Sequence, residues 1–110
     1  MKNKNLLHLL QTMSLEEKIG QMFLVGFRGP VCLSDSPICK AIQEIRVGAV
    51  WLTEYQSPLP EMKGNIESFS QVQTLISDMQ SAASIPLFVS IDAACIRILT
   101  LDLIFYNQRG

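Results

Sequence analysis

The sequence predicts an α/β fold with a parallel sheet, and three observations predict it. Segments with helical signals alternate with short apolar segments in the order helix, strand, helix, strand, helix, strand. The apolar segments "MFLVGF", "VGAVWLT" and "LFVSID" are continuous rather than alternating, the pattern of strands buried on both faces. Cap signals mark the helix starts ahead of these strands. Two architectures fit: a doubly wound sheet, or the first three or four βα units of a (β/α)8 barrel.

The chain opens with "MKNKNLLHLLQTM". Its apolar run, Leu6 to Leu10, is interrupted by His8 and is shorter than the roughly 7–15 residues of a secretory core. No small-residue cleavage site follows, so the segment reads as a first amphipathic helix. Ser14 then starts "SLEEK", with Glu17 three residues on. That is a capping box, in which each side chain satisfies a backbone N–H left open at the helix start. Gly20 and "MFLVGF" mark the switch to the first strand.

In "SDSPICKAIQEIRVG", Ser36 or Asp35 can cap and Pro37 suits the first helical position, where its missing N–H costs nothing. Ile38, Ile42 and Ile45 fall on one helical face. The second strand follows and ends near Thr53. Residues 54–68 carry two prolines and Gly64 and read as a loop. Ser70 is the expected cap of the next helix. Val72, Leu75, Ile76, Met79 and Ala83 give that helix its apolar stripe, with Met79 as core filling. "LFVSID" supplies the third strand and ends on Asp92.

The totals narrow the function classes. A chain of 110 residues with 48% apolar side chains fits one domain with a packed core. Nine basic and ten acidic side chains leave a net charge of -1, and the basic residues are scattered. That argues against a nucleic-acid surface and a polybasic membrane patch. No apolar run is long enough to span a membrane. Three cysteines, Cys32, Cys39 and Cys95, make an odd number without a CxxC pair. Reduced thiols in a cytoplasmic protein are therefore expected, not a disulfide framework. The C-x6-C spacing is poor for zinc and His8 is distant, so no metal site is expected.

In either architecture function sits at the carboxyl ends of the strands, which singles out Gly26-Phe27-Arg28, Thr53-Glu54-Tyr55 and Asp92 onward. Trp51 lies inside the second strand and is assigned to the core rather than to sugar stacking. "GFRGP" lacks the spacing of a phosphate-cradling loop. Cys95 has no base near it in sequence, which argues against a nucleophilic role. Glu54 reads as a solvated loop acid.

Three stretches carry a resemblance. "MSLEEKIGQMFLVGFRG", "DSPICKAIQEIRVGAVWL" and "GNIESFSQVQTLISDMQSAASIPLFVSID" are similar, in order, to the opening of the glycoside hydrolase family 3 N-terminal domain, and in particular to its bacterial β-N-acetylhexosaminidase branch. The match spans residues 13 to 92. It implies a (β/α)8-type barrel that cleaves β-linked N-acetylglucosamine or related sugars with retention, without a cofactor. It further implies an Asp nucleophile, and acid/base work by a His supported by an Asp on a mobile loop. In the family the third strand ends in an Asp that binds sugar hydroxyls, followed after one residue by Glu-Gly-Gly-Arg. Asp92 matches that Asp and Arg97 matches the Arg, whereas Ala94, Cys95 and Ile96 stand at the Glu and the two Gly positions.

The resemblance thus leaves Asp92 and Arg97 as candidate substrate-binding residues and assigns no catalytic residue. No "KHFPGHG"-like run occurs. Residues 93–110 do not resemble the family, and the chain reads as one incomplete domain, inactive alone. "RILTLDLIFY" has strand-like composition and is expected either to cover an open sheet edge or to act as a sticky tail. A sheet of three or four strands leaves edges that can pair with another chain. The alternative reading is therefore a non-catalytic module that binds sugar or a protein partner.

Overall fold

The computed structural model describes the backbone of residues 2–54 and 64–92, and the side chains of residues 6–54 and 64–91. Helices α1 (Lys2–Thr12) and α2 (Leu15–Gly20) lead into strand β1 (Leu24–Gly26). Helix α3 (Pro37–Lys40) runs on as a π-helical turn, Ala41–Ile45, before strand β2 (Ala49–Thr53). Helix α4 (Phe69–Ala82) precedes strand β3 (Phe88–Asp92). The result is a mixed α/β structure with a three-stranded, open, all-parallel sheet in the order β1-β2-β3. Among the described residues no helix is long and apolar enough to cross a membrane.

The helix starts follow from their caps. The Glu17 amide donates to Ser14 Oγ at 3.1 Å and the Ser14 amide donates to Glu17 Oε2 at 2.8 Å, as the sequence predicts. Ser36 accepts from the Cys39 amide at 3.3 Å, with Pro37 in the first turn. Helix α4 corrects its expected cap. Ser68, not Ser70, is the cap, because the fitting partner three residues on is Gln71. The Gln71 amide donates to Ser68 Oγ at 3.2 Å, and Gln71 Oε1 accepts from the amides of Ser68 and Glu67.

The π-helical turn corrects a second expectation. Ile38 and Ile42 are buried at 4% and 2% exposure, but Ile45 is 56% exposed. A π turn holds more residues than an α turn, so a side chain three positions on lags behind the face it would otherwise share. The turn ends on Arg46 in the left-handed conformation, φ 59°. Its carbonyl accepts from Gln21 Nε2 at 2.7 Å and its guanidinium pairs with Glu17. Helix α2 therefore holds a backbone conformation that costs a non-glycine residue free energy. Gly20 makes the approach possible, since a Cβ there would overlap the Ile45 carbonyl.

The core lies on one side of the sheet. Val25, Val50 and Val89 align across the strands, as do Leu52 and Ile91. These side chains meet Ile38 and Ile42 from the α3 segment and Val72, Leu75, Ile76 and Met79 from α4. Both crossovers thus pack on the same face. The opposite face carries Leu24 and Phe88, 56% and 69% exposed, and Trp51, 40% exposed. Strands buried on both faces, and Trp51 in the core, were the expectations; the sheet has a second apolar face, but no described helix covers it. On α1, Leu6, Leu7 and Leu10 are exposed as well, so that helix forms without burying these residues.

Met79 is fully buried at the centre of the α4 stripe. Met79→Ala is expected to lower unfolding free energy by about 2–5 kcal/mol, the range for truncating a large core side chain. Urea denaturation followed by circular dichroism measures it, and a change no larger than that of Leu6→Ala would refute the placement of the core.

Candidate functional site

Parallel strands bring their carboxyl ends to one edge, so β1, β2 and β3 deliver the predicted residues together. Gly26 ends β1 opposite Trp51, and Thr53 ends β2 opposite Asp92 at the end of β3. Arg28 and Glu54 follow their strands and are exposed. Asp92 therefore stands at a strand end, as expected, while Tyr55, Cys95 and Arg97 lie outside the described residues. Thr53 Oγ1 is buried and has no hydrogen-bond partner among the described residues.

The residue that organises this edge is Asn65, which is fully buried. Its Oδ1 accepts from the Thr53 amide at 3.1 Å. Its Nδ2 donates to the carbonyls of Phe27 and Gly29, at 3.0 and 2.8 Å. One side chain thereby joins the end of β2 to the loop that leaves β1. Backbone bonds complete the join: Asn65 N donates to the Thr53 carbonyl at 2.7 Å and Gly64 N to the Glu54 carbonyl at 2.9 Å. Residue 64 must be glycine for this approach, since a Cβ would overlap the Thr53 carbonyl. Gln71 extends the network from the first turn of α4, donating through Nε2 to the carbonyls of Pro30 and Asn65 at 2.7 and 2.8 Å.

Sequence reading missed Asn65 and Gln71. The signal for Gln71 was present, because "SFSQ" satisfies the capping-box spacing from Ser68, two residues before Ser70. Asn65 had no local signal: its partners lie 12, 36 and 38 residues away.

Beside β1 lies an open groove of about 370 Å³. Val25, Phe27, Ile38 and Ala41 form its apolar wall, with Arg28 and Ser36 as polar members. The described part of the edge thus offers the Arg28 guanidinium, the Glu54 carboxylate and the strand-end position of Asp92. Such groups can receive hydroxyls of a polar ligand. The one histidine, His8, is exposed on α1. Among the described residues no group of three or more His, Cys, Asp or Glu side chains could hold a metal ion. Comparison with protein-family models, curated proteins and solved structures finds no match to this chain.

Replacing Asn65 with Leu leaves the Thr53 amide and two loop carbonyls without the partners that Asn65 supplies. Unsatisfied buried groups cost about 1–3 kcal/mol each, so a loss of about 3 kcal/mol or more is expected for Asn65→Leu in chemical denaturation. A loss below about 1 kcal/mol would mean that water or another group replaces the amide.

Proposed function

We propose that residues 13–92 correspond to the first three βα units of a (β/α)8 barrel of the glycoside hydrolase family 3 type, close to its β-N-acetylhexosaminidase branch. On this reading the chain by itself binds amino sugar at the strand ends without turning it over. The observation that carries the reading is the ordered resemblance of three sequence stretches, with which the one-sided winding of the sheet agrees. Sequential parallel order with both crossovers on one face is the local pattern of a (β/α)8 barrel, whose other face points inward. Each half of a doubly wound sheet shares this order, with its helices on one face, so the winding alone is common to both architectures. The ordered resemblance of three sequence stretches supplies the glycoside part of the proposal.

Asp92 takes the sugar-hydroxyl role in this proposal, with Arg97 as a second contact. The catalytic groups of the family have no matching motif in these 110 residues. Purified chain is therefore expected to release no chromophore from a chromogenic N-acetyl-β-glucosaminide above the level of Asp92→Ala. N-acetylglucosamine at millimolar concentration is expected to shift amide signals around Thr53 and Asp92, and Asp92→Ala to abolish those shifts. Hydrolysis above the control overturns the non-catalytic reading; absence of any shift overturns sugar binding.

The open sheet face favours a second reading, a protein-interaction module. Leu24, Trp51 and Phe88 form exposed apolar rows across three strands, an arrangement soluble monomers seldom leave uncovered. If that face mediates association, light scattering will show assemblies that Trp51→Ser combined with Phe88→Ser dissolves. A monomeric parent chain removes this reading.

A further inference from the structure

We propose that the outer edge of β1 and the groove beside it take an extended peptide, which adds to the sheet as a further parallel strand and rests its terminal carboxylate on Arg28. β1 is the edge strand of the order β1-β2-β3, and among the described residues no strand pairs with its other side. The Phe23 carbonyl accepts from the Ala49 amide at 3.2 Å, so that carbonyl faces β2. Backbone groups of successive strand residues point to opposite sides, which turns the N–H and C=O of Leu24 and Gly26 outward. Such a row is a template on which another strand can pair. Main-chain bonds of this kind give a peptide affinity, and pockets for its alternate side chains give selectivity.

The groove supplies those pockets. Its described lining comes from β1, the loop after it and the α3 segment, with no residue of β2, so it opens on the outer side of the strand. Val25 and Phe27, two residues apart, point towards the core side and form the apolar wall with Ile38 and Ala41. An added strand sends every second side chain to the same side of the sheet, into the groove. The volume of about 370 Å³ lies within the range of sites that hold small ligands or side chains. Arg28 is the one charged residue in the described lining, and it is exposed. The ion pair of this region joins Arg46 to Glu17, which leaves Arg28 without an ion-pair partner among the described residues.

Charge sets the direction of the added strand. A peptide parallel to β1 ends beside Arg28, where its free carboxylate meets the guanidinium in a charge-assisted hydrogen bond. An antiparallel peptide brings a terminal ammonium there, which Arg28 repels. Parallel addition also continues the pairing of β1 with β2 and of β2 with β3. The partner is thus a chain terminus with apolar residues at alternate positions and a free carboxylate. The inference rests neither on the amino-sugar reading nor on the open face, whose Trp51 and Phe88 lie on the other side of the sheet.

The test titrates the full chain into an amino-terminally fluorescein-labelled peptide, Ser-Ile-Thr-Val-Thr-Leu with a free carboxylate, and reads anisotropy. Saturable binding is expected. Converting the carboxylate to a carboxamide and replacing Arg28 with Ala are each expected to weaken binding about tenfold, the scale of a hydrogen bond to a charged group. The carboxamide is expected to make no further difference in Arg28→Ala, because both changes remove the same contact. Gly26→Pro removes an outward amide at a position where a Cβ has room, 3.8 Å from the Trp51 ring, and is also expected to weaken binding. Serine at the apolar positions of the peptide is expected to abolish it. Arg28 is exposed, so the Arg28→Ala readout stands even where Gly26→Pro fails to fold. Equal binding of acid and carboxamide, or undiminished binding by Arg28→Ala, overturns the proposal. Octanoate that binds as tightly as the peptide overturns it in favour of a groove for apolar acids. Absence of saturable binding overturns it as well, and sedimentation as a dimer in that case assigns the edge to a second copy.

Discussion

The Asn65 amide sits out of reach of water and bonds three backbone groups from two segments distant in sequence. Only a side chain with an acceptor oxygen and two N–H donors in one plane can do this. An ionised Asp offers acceptors alone, and an aliphatic side chain offers nothing. The neighbouring groups are buried backbone polar atoms, for which an unmade bond is more costly than a made bond is favourable. The end of β2, the exit of β1 and the entry to α4 therefore take their mutual positions from one residue. Gly64 allows it by letting the chain press against the Thr53 carbonyl, and Gln71 relays the constraint to α4.

The one-sided core follows from a different balance. Val25, Val50, Leu52, Val89 and Ile91 find partners in α3 and α4 because each crossover is short enough to fold back on its own strand pair. Gln80 secures the second crossover, its side chain bonding both the amide and the carbonyl of Leu87 at 2.9 and 2.8 Å. The other face has equally apolar residues at Leu24, Trp51 and Phe88 and no described cover. Hydrophobic burial has no direction of its own, so an apolar residue on a strand marks a face able to be covered, not one that is covered.

That distinction explains what was legible in the sequence. Local signals read well: the Ser14–Glu17 capping box, Pro37 after Ser36, and the Val72, Leu75, Ile76 and Met79 stripe all depend on residues within a turn or two. Signals decided over a distance did not. Trp51 was assigned to the core because its strand is apolar, yet strand parity puts it on the face away from Val50 and Leu52. Ile45 left its stripe because the α3 segment widens into a π turn, which no residue pattern announced. The strand-end position of Asp92 was readable from strand order alone, whereas the network that shapes the edge around it needed Asn65, a residue defined by partners beyond the loop.

The loop after β1 shows how these two kinds of constraint meet. From one side, Asn65 and Gln71 take up the carbonyls of Phe27, Gly29 and Pro30, so the loop's first half is held by the sheet edge and α4. From the other, Ser36 binds the Leu33 carbonyl and the Cys39 amide, so the second half is held by the start of α3. Gly29, at φ 92°, lies within the first anchor's reach and takes a conformation few other residues adopt freely. Both halves meet at the groove beside β1, which Phe27 and Arg28 line from the first and Ser36 and Pro37 from the second, so its walls take their spacing from both anchors.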